Sequence, residues 1–243
     1  MWQFSIDRPT RRNAINTKVM EDLNTAIQKM NHEKNVRAFI VAGTGGQAFC
    51  SGGDLGEFHR LYTEKEAYQM LSKMGGILYE LLTLSCPTFA LIDGAAVGGG
   101  CELAISCDFR IVSEGSRLGF IQRNLGITTG WGGATMLLEK LRYDQALQLL
   151  LPGSVISAEE AKEKGFATDV LPKEAFYDLA YAKVFSIVGE SPQVSAAYKL
   201  LKISEWEEKK VKEKVFKEIS ACAKLWESDE HHQAVKQFIS KNK

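Results

Sequence analysis

An α/β fold is predicted for the 243-residue chain on three observations. Strand-like apolar runs alternate with helix-like periodic segments up to Pro172, the pattern of strands and helices packed in layers. Two of those runs, Val36 to Ala42 and Thr88 to Ile92, feed straight into glycine-rich segments. Beyond Pro172 the pattern turns almost wholly helical. The chain therefore divides into a core over residues 1–172 and a helical region over residues 173–243, expected to serve as a cap or an oligomerisation arm.

Composition narrows the function classes. Thirty basic and thirty acidic side chains cancel, which gives no support to wholesale nucleic-acid or membrane-surface binding. No apolar run approaches the ~18–20 residues of a membrane span. The five cysteines are an odd number without a CxxC pair, so they read as reduced core thiols rather than a disulfide framework or a zinc site. No metal is expected. The start, MWQFSIDRP, has no charged n-region or long apolar h-region, so no secretory signal is read there. A cytoplasmic protein is expected, or a mitochondrial-matrix one if a transit peptide lies outside this sequence.

The elements follow in order. Trp2, Phe4 and Ile6 alternate with polar residues as in a short strand, ended by Arg8-Pro9. Asn16 or Thr17 caps a helix with Val19, Met20, Leu23, Ile27 and Met30 on one face. Val36 to Ala42 is a buried strand that enters the loop Gly43 to Leu55. That loop contains G-x-G-x-x-A, but no helix opens there and no Walker lysine follows; a dinucleotide fingerprint is rejected. Its bare amides at Gly52, Gly53 and Asp54 form an anion-binding candidate, or else a surface loop. Glu64 to Leu84 is a long amphipathic helix. Residues 116–130 read as loop-rich, 131–141 and 144–150 as helical. Ser157 to Glu160 is a capping box opening a short helix closed by Gly165, and Phe166 to Leu171 is a strand. A helix starts at Ser191-Pro192, a second spans Glu205 to Leu225, and a last runs from His231 to Ile239. His32, His59, His231 and His232 lie in no motif that pairs with a serine elbow.

The chemistry concentrates between Pro87 and Arg110. The strand Thr88 to Ile92 meets Asp93-Gly94, then Gly98, Gly99 and Gly100, then a helix. Free N–H groups at a helix start favour a developing anion. Glu102 stands three residues into that helix, a carboxylate among apolar neighbours. A tight strand-to-helix turn with an incidental Glu is the plainer alternative.

Taken together, Phe49-Cys-Ser-Gly-Gly-Asp54-Leu55 and Gly94-x-x-x-Gly98-Gly-Gly-Cys-Glu102 resemble the paired signature of the crotonase superfamily, the enoyl-CoA hydratase/isomerase family. Arg8-Pro-x-x-x-Asn13-Ala14, Cys107-Asp108 and the Gly126 to Gly133 segment resemble it too. The resemblance implies a spiral of repeated ββα units with a helical C-terminal region. It implies acyl-CoA substrates, no cofactor beyond the coenzyme A of the substrate, and homotrimers or hexamers. By that resemblance the amides of Gly53 and Gly99 form the oxyanion hole. Asn13, Ala14, Gly52, Asp54, Leu55 and Gly98 line the coenzyme A and substrate path. Trp131 is either a wall of the acyl pocket or a core indole.

Hydratases of this family use two glutamates. The first matches Glu102; the second position holds Gln122, and the alternative aspartate position of some isomerases holds Gly130. Glutamine does not exchange a proton near neutral pH. Decarboxylation needs no base to form the enolate, and Gly126-Ile-Thr-Thr-Gly-Trp131-Gly-Gly resembles the ethylmalonyl-CoA decarboxylase subgroup, which carries a histidine at the Gln122 position. Three functions follow: a hydratase or isomerase on acyl-CoA, a decarboxylase of the methylmalonyl- or ethylmalonyl-CoA type, and an acyl-CoA-binding protein without turnover. Partial burial of Glu102 is expected to raise its pKa.

Overall fold

A computed structural model describes residues 1–33 and 35–241 of the chain. Strand β1 (Trp2–Ile6) is followed by helix α1 (Thr17–His32), whose cap is Asn16: its side chain accepts from Val19 N at 3.0 Å. A repeating pattern then sets in. Strands β2 (Phe39–Gly43) and β3 (Ala48–Cys50) precede the short helix α2 (Leu55–Phe58) and the long α3 (Glu64–Leu82). Strands β4 (Thr88–Ile92) and β5 (Ala95–Val97) precede α4 (Gly99–Ser106). Strands β6 (Phe109–Ser113) and β7 (Arg117–Gly119) precede a 3-10 turn at Gln122–Leu125 and helices α5 (Gly133–Lys140) and α6 (Tyr143–Leu150). The first strand of each pair joins one sheet and the second joins another. The larger sheet is parallel throughout, in the order β1-β2-β4-β6-β9, where β9 is Asp169–Leu171. The smaller runs β3-β5-β7-β8, closed by the antiparallel β8 (Ile156–Ser157). This is the ββα spiral of the crotonase fold.

Burial explains the composition of the strands. All five residues of β2 are buried, as expected when both faces of a parallel sheet are covered. Phe39 and Val41 face the main core with α1 and α3, whereas Ile40 and Ala42 face a second cluster with Phe176, Ala180 and Val184 of α8 (Phe176–Val188). Helix α7 (Ala158–Glu163) opens on the expected capping box of Ser157 and Glu160.

Several boundaries differ from the sequence expectations, each for a physical reason. The strand expected at 36–42 begins only at Phe39, where its parallel neighbours begin at Trp2 and Thr88. The strand expected at 166–171 shortens to Asp169–Leu171 because the amides of Phe166 and Ala167 are taken by Ala161 O at the end of α7. The glycine loop 43–55 contains a strand, β3, and the 116–130 loop contains β7. The helix expected over 205–225 is two helices, α9 (Pro192–Glu208) and α10 (Val211–Trp226), with a left-handed corner at Lys210, φ 52°. The corner lets Ile203 and Trp206 of α9 and Val211, Val215 and Ile219 of α10 all enter the main core. The C-terminal helices thus pack onto the spiral, and α11 (Asp229–Lys241) crosses the 3-10 turn, where His231 Nδ1 lies 2.7 Å from Leu125 O.

Candidate active site

The two glycine segments come together at one place. Gly52 has φ +92°, and a Cβ there would stand 3.1 Å from Gly99 N. Only glycine supplies both the left-handed angle and that close approach. Gly99 is the first residue of α4, so its N–H has no acceptor within the helix. Gly53 forms a parallel bridge with Ile15. Among the described residues neither the Gly53 nor the Gly99 N–H has an acceptor. The indole of Trp131 rests on both: a Cβ at Gly99 would collide with Trp131 Cζ3, and one at Gly53 would lie 3.5 Å from Trp131 Cζ2. Trp131 is 4% exposed, as a core indole would be, and it also lines the cavity.

These groups face a cavity of about 220 Å³. Its walls are mostly apolar, among them Phe58, Leu71, Ile121, Ile127 and Trp226. Gly52, Leu55 and Gly98 also line it. Among the lining residues Glu102 is the one carboxylate. Burial is fuller than the partial burial expected, at 2% exposed. Its Oε1 accepts from Trp131 N at 2.8 Å and Gly133 N at 3.0 Å; its Oε2 accepts from Gln122 Nε2 at 2.9 Å and Gly130 N at 3.4 Å. Burial foremost, and then the negative charge of Glu218 on α10, push its pKa up to about 7 against the pull of those hydrogen bonds. Gln122 is brought beside Glu102 as the sequence expected, and its Oε1 is buried without a partner among the described residues.

The opposite end of α4 is capped as well. Lys140 Nζ donates to Ile105 O at 2.6 Å and Cys107 O at 2.8 Å. Burial pushes the pKa of Lys140 down to about 7, so its first role there is as a hydrogen-bond donor to the open carbonyls, whereas the amide of Gly99 is bare at the other end.

Asn13 and Ala14 stand outside the cavity. Asn13 is fully buried, in left-handed backbone with φ 55°. Its Oδ1 accepts from Arg8 N at 2.9 Å, and its Nδ2 donates to Thr44 O and Ala48 O. It ties the first turn of the chain to the glycine loop. Asp54 is also outside: it caps α2 through Gly56 N at 2.9 Å and pairs with Arg8 at 2.8 Å. Both belong to a neighbouring groove of about 350 Å³ that also holds Arg11 and Arg60. The sequence reading missed this arginine cluster, and it missed Trp226 and Phe238, which bring the C-terminal helices to the cavity wall.

A family model described as enoyl-CoA hydratase/isomerase matches residues 1–243. The chain belongs to that family, within the crotonase superfamily. It is similar to the ethylmalonyl-CoA decarboxylase of Xenopus tropicalis, 34% identical over 85% of this chain and 70% of that protein. It is also similar to the mitochondrial methylglutaconyl-CoA hydratase of Mus musculus, 30% identical over 83% of this chain; the matched stretch spans 64% of the mouse protein. A crystal structure of enoyl-CoA hydratase from Bacillus halodurans superposes with a TM-score of 0.88 at 22% identity, covering 97% of this chain and 95% of that one. Among the described residues no helix is long and apolar enough to cross a membrane, and no cluster of metal-ligating side chains occurs.

Proposed function

We propose that the chain is an enzyme that binds an acyl-CoA thioester with its carbonyl oxygen between the amides of Gly53 and Gly99, and stabilises the enolate formed there. One observation carries this reading: two acceptor-free N–H groups and a single buried carboxylate share one apolar cavity. Each such donor contributes about 3 kcal/mol to a developing oxyanion when water is excluded. The groove with Arg8, Arg11 and Arg60 supplies cationic partners for the phosphates of coenzyme A. No further cofactor is needed. With its pKa near 7, Glu102 is populated in both forms at neutral pH and serves as the proton donor or acceptor at the α-carbon. The exposed apolar side chains of α8 and α9, among them Phe185, Tyr198 and Leu201, support assembly into the trimers or hexamers implied by the resemblance. Cytoplasm or mitochondrial matrix is the proposed compartment.

Hydration or isomerisation is the family's default reaction. Gln122 favours a second reading, decarboxylation of a malonyl-type thioester. There the bond from the α-carbon to the carboxylate breaks, CO₂ departs, and the bonding pair enters the enolate without a base. Protonated Glu102 then gives its proton to the α-carbon. A mostly apolar pocket suits a step in which a charged carboxylate becomes neutral CO₂. Incubation with crotonyl-, methylmalonyl-, ethylmalonyl- and longer enoyl-CoAs, followed by mass spectrometry, separates the cases. Gain of water marks the hydratase and loss of CO₂ the decarboxylase. Saturable binding with neither marks a binding protein. No binding of any thioester overturns the proposal.

A further inference from the structure

The first turn of α5 is held by two carboxylates from different helices. Gly133 N donates to Glu102, whereas Ala134 N and Thr135 N donate to Glu218 at 3.1 and 2.7 Å. The hydroxyls of Thr129 and Thr135 complete the shell of Glu218, at 2.5 and 2.6 Å. Upstream, Gly130 N and Trp131 N turn to Glu102. The stretch 130–135 is thus a row of amides divided between a carboxylate of α4 and one of α10. The two must sit close, since consecutive amides serve them. A helix N-terminus favours negative charge, but two negative charges on one turn repel each other.

We propose that Glu218, on α10, is the positioning residue of the site: it holds the 130–135 loop, and through it Trp131, against Gly53 and Gly99, and its charge adds to the effect of burial on Glu102. This rests on the reading of Glu102 as the proton-transfer group. The other titratable groups facing Glu102 are Cys101 of α4 and Cys222 of α10; burial pushes both thiols up, so they stay neutral. Facing Glu218 from α5 and the preceding loop are the neutral Thr129 and Thr135, with Cys222 one turn along α10. Glu218 is itself raised, by burial, so the two glutamates titrate as a coupled pair.

The test is a carbon-13 NMR titration of the glutamate side-chain carboxyls in the whole chain, with Glu102 assigned by its absence in Glu102→Gln. In Glu218→Gln the Glu102 midpoint should fall by about one pH unit, the scale on which one nearby carboxylate perturbs another. In Thr135→Val a hydrogen bond is lost but the charge stays, so the fold should weaken without that fall. A folded Glu218→Gln variant with an unmoved Glu102 midpoint overturns the proposal. Should Glu218→Gln fail to fold, the reciprocal measurement decides: the Glu218 midpoint should fall in Glu102→Gln, and no movement there overturns it equally. Because the midpoints are read without substrate, absence of acyl-CoA turnover would count against the proposed function and not against this electrostatic link.

Discussion

Two rows of backbone amides, one lining the cavity and one leading away from it at Gly130 and Trp131, have opposite fates. At Gly53 and Gly99 the amides have no acceptor. Across residues 130–135, five amides find permanent acceptors in Glu102 and Glu218. The groups are chemically identical, so the difference lies in what surrounds them. Gly99 lies so close to the indole of Trp131 that any Cβ would strike it, Gly53 lies beside the same ring, and the indole N–H accepts nothing. Residues 130–133 have a carboxylate laid directly on Gly133, where any Cβ would collide with Glu102 Cγ. An unmet amide costs free energy when buried. Gly53 and Gly99 line the cavity, where water or a ligand can reach the empty pair.

Emptying the filled row should have the largest effect. Glu102→Ala strands three backbone donors and the Gln122 amide. The expected loss is about 3–5 kcal/mol in urea unfolding, given ~1–3 kcal/mol per unmet buried donor and partial rescue by water. A midpoint equal to that of wild type would mean that Glu102 is not what holds the loop.

Blocking the empty row comes next. Gly99→Pro removes one N–H and should lower turnover about 10²–10³-fold. Gly99→Ala keeps the N–H but strikes Trp131. It should also lose turnover, and a second change, Trp131→Ala, should restore part of it. Gly53→Ala meets the Phe58 ring at 3.3 Å and the indole at 3.5 Å, which a small shift of Phe58 relieves, so it should be far milder. Equal losses at the two glycines would break the assignment of Trp131 as the shared backing.

Titrating the filled row gives an effect on the order of 3 kcal/mol. The folded pKa of Glu102, about 7, lies above its ordinary value of 4.5. Its share of stability is therefore fully present below pH 4.5 and lost as pH rises through about 7. Glu102→Gln should flatten stability across that window. Turnover limited by proton donation should decline above pH 7, and turnover limited by proton removal should decline below it. The limb that appears identifies the role of Glu102.

The smallest expected change comes from Gln122→Glu, about tenfold in rate, because an introduced carboxylate falls well short of the ~10²–10⁴-fold of a positioned acid-base group. A second carboxylate should raise hydration of crotonyl-CoA and depress decarboxylation, because a new negative charge would face the leaving carboxylate. Movement of both reactions in the same direction would mean that Gln122 does not face the reacting carbons.

The site was legible in the sequence where it depends on local chain. Three consecutive glycines and the Glu two residues beyond them mark themselves by residue type, whereas Gln122 is reached only through the family resemblance. What escaped depends on partners far along the chain. Strand β3 has only three residues, and its pairing with β5 decides it rather than its own composition. No Gly or Pro marks the corner at Lys210, so an amphipathic pattern ran straight through it. Glu218 sits among lysines and glutamates that resemble a solvated helix face, and only the docking of α10 on the start of α5 turns it inward. The resemblance puts Asn13 on the substrate path, whereas its amide donates to Thr44 O and Ala48 O.

Each turn of the spiral contributes a separate part. The turn of β2 and β3 carries Gly53, that of β4 and β5 carries Gly99 and Glu102, and that of β6 and β7 carries Gln122 and Trp131. On the proposed function, the anion-holding parts and the second reacting side chain are on different modules of the chain. A lineage built this way can exchange the third module's side chain and inherit a new reaction while the activation of the thioester passes down unaltered.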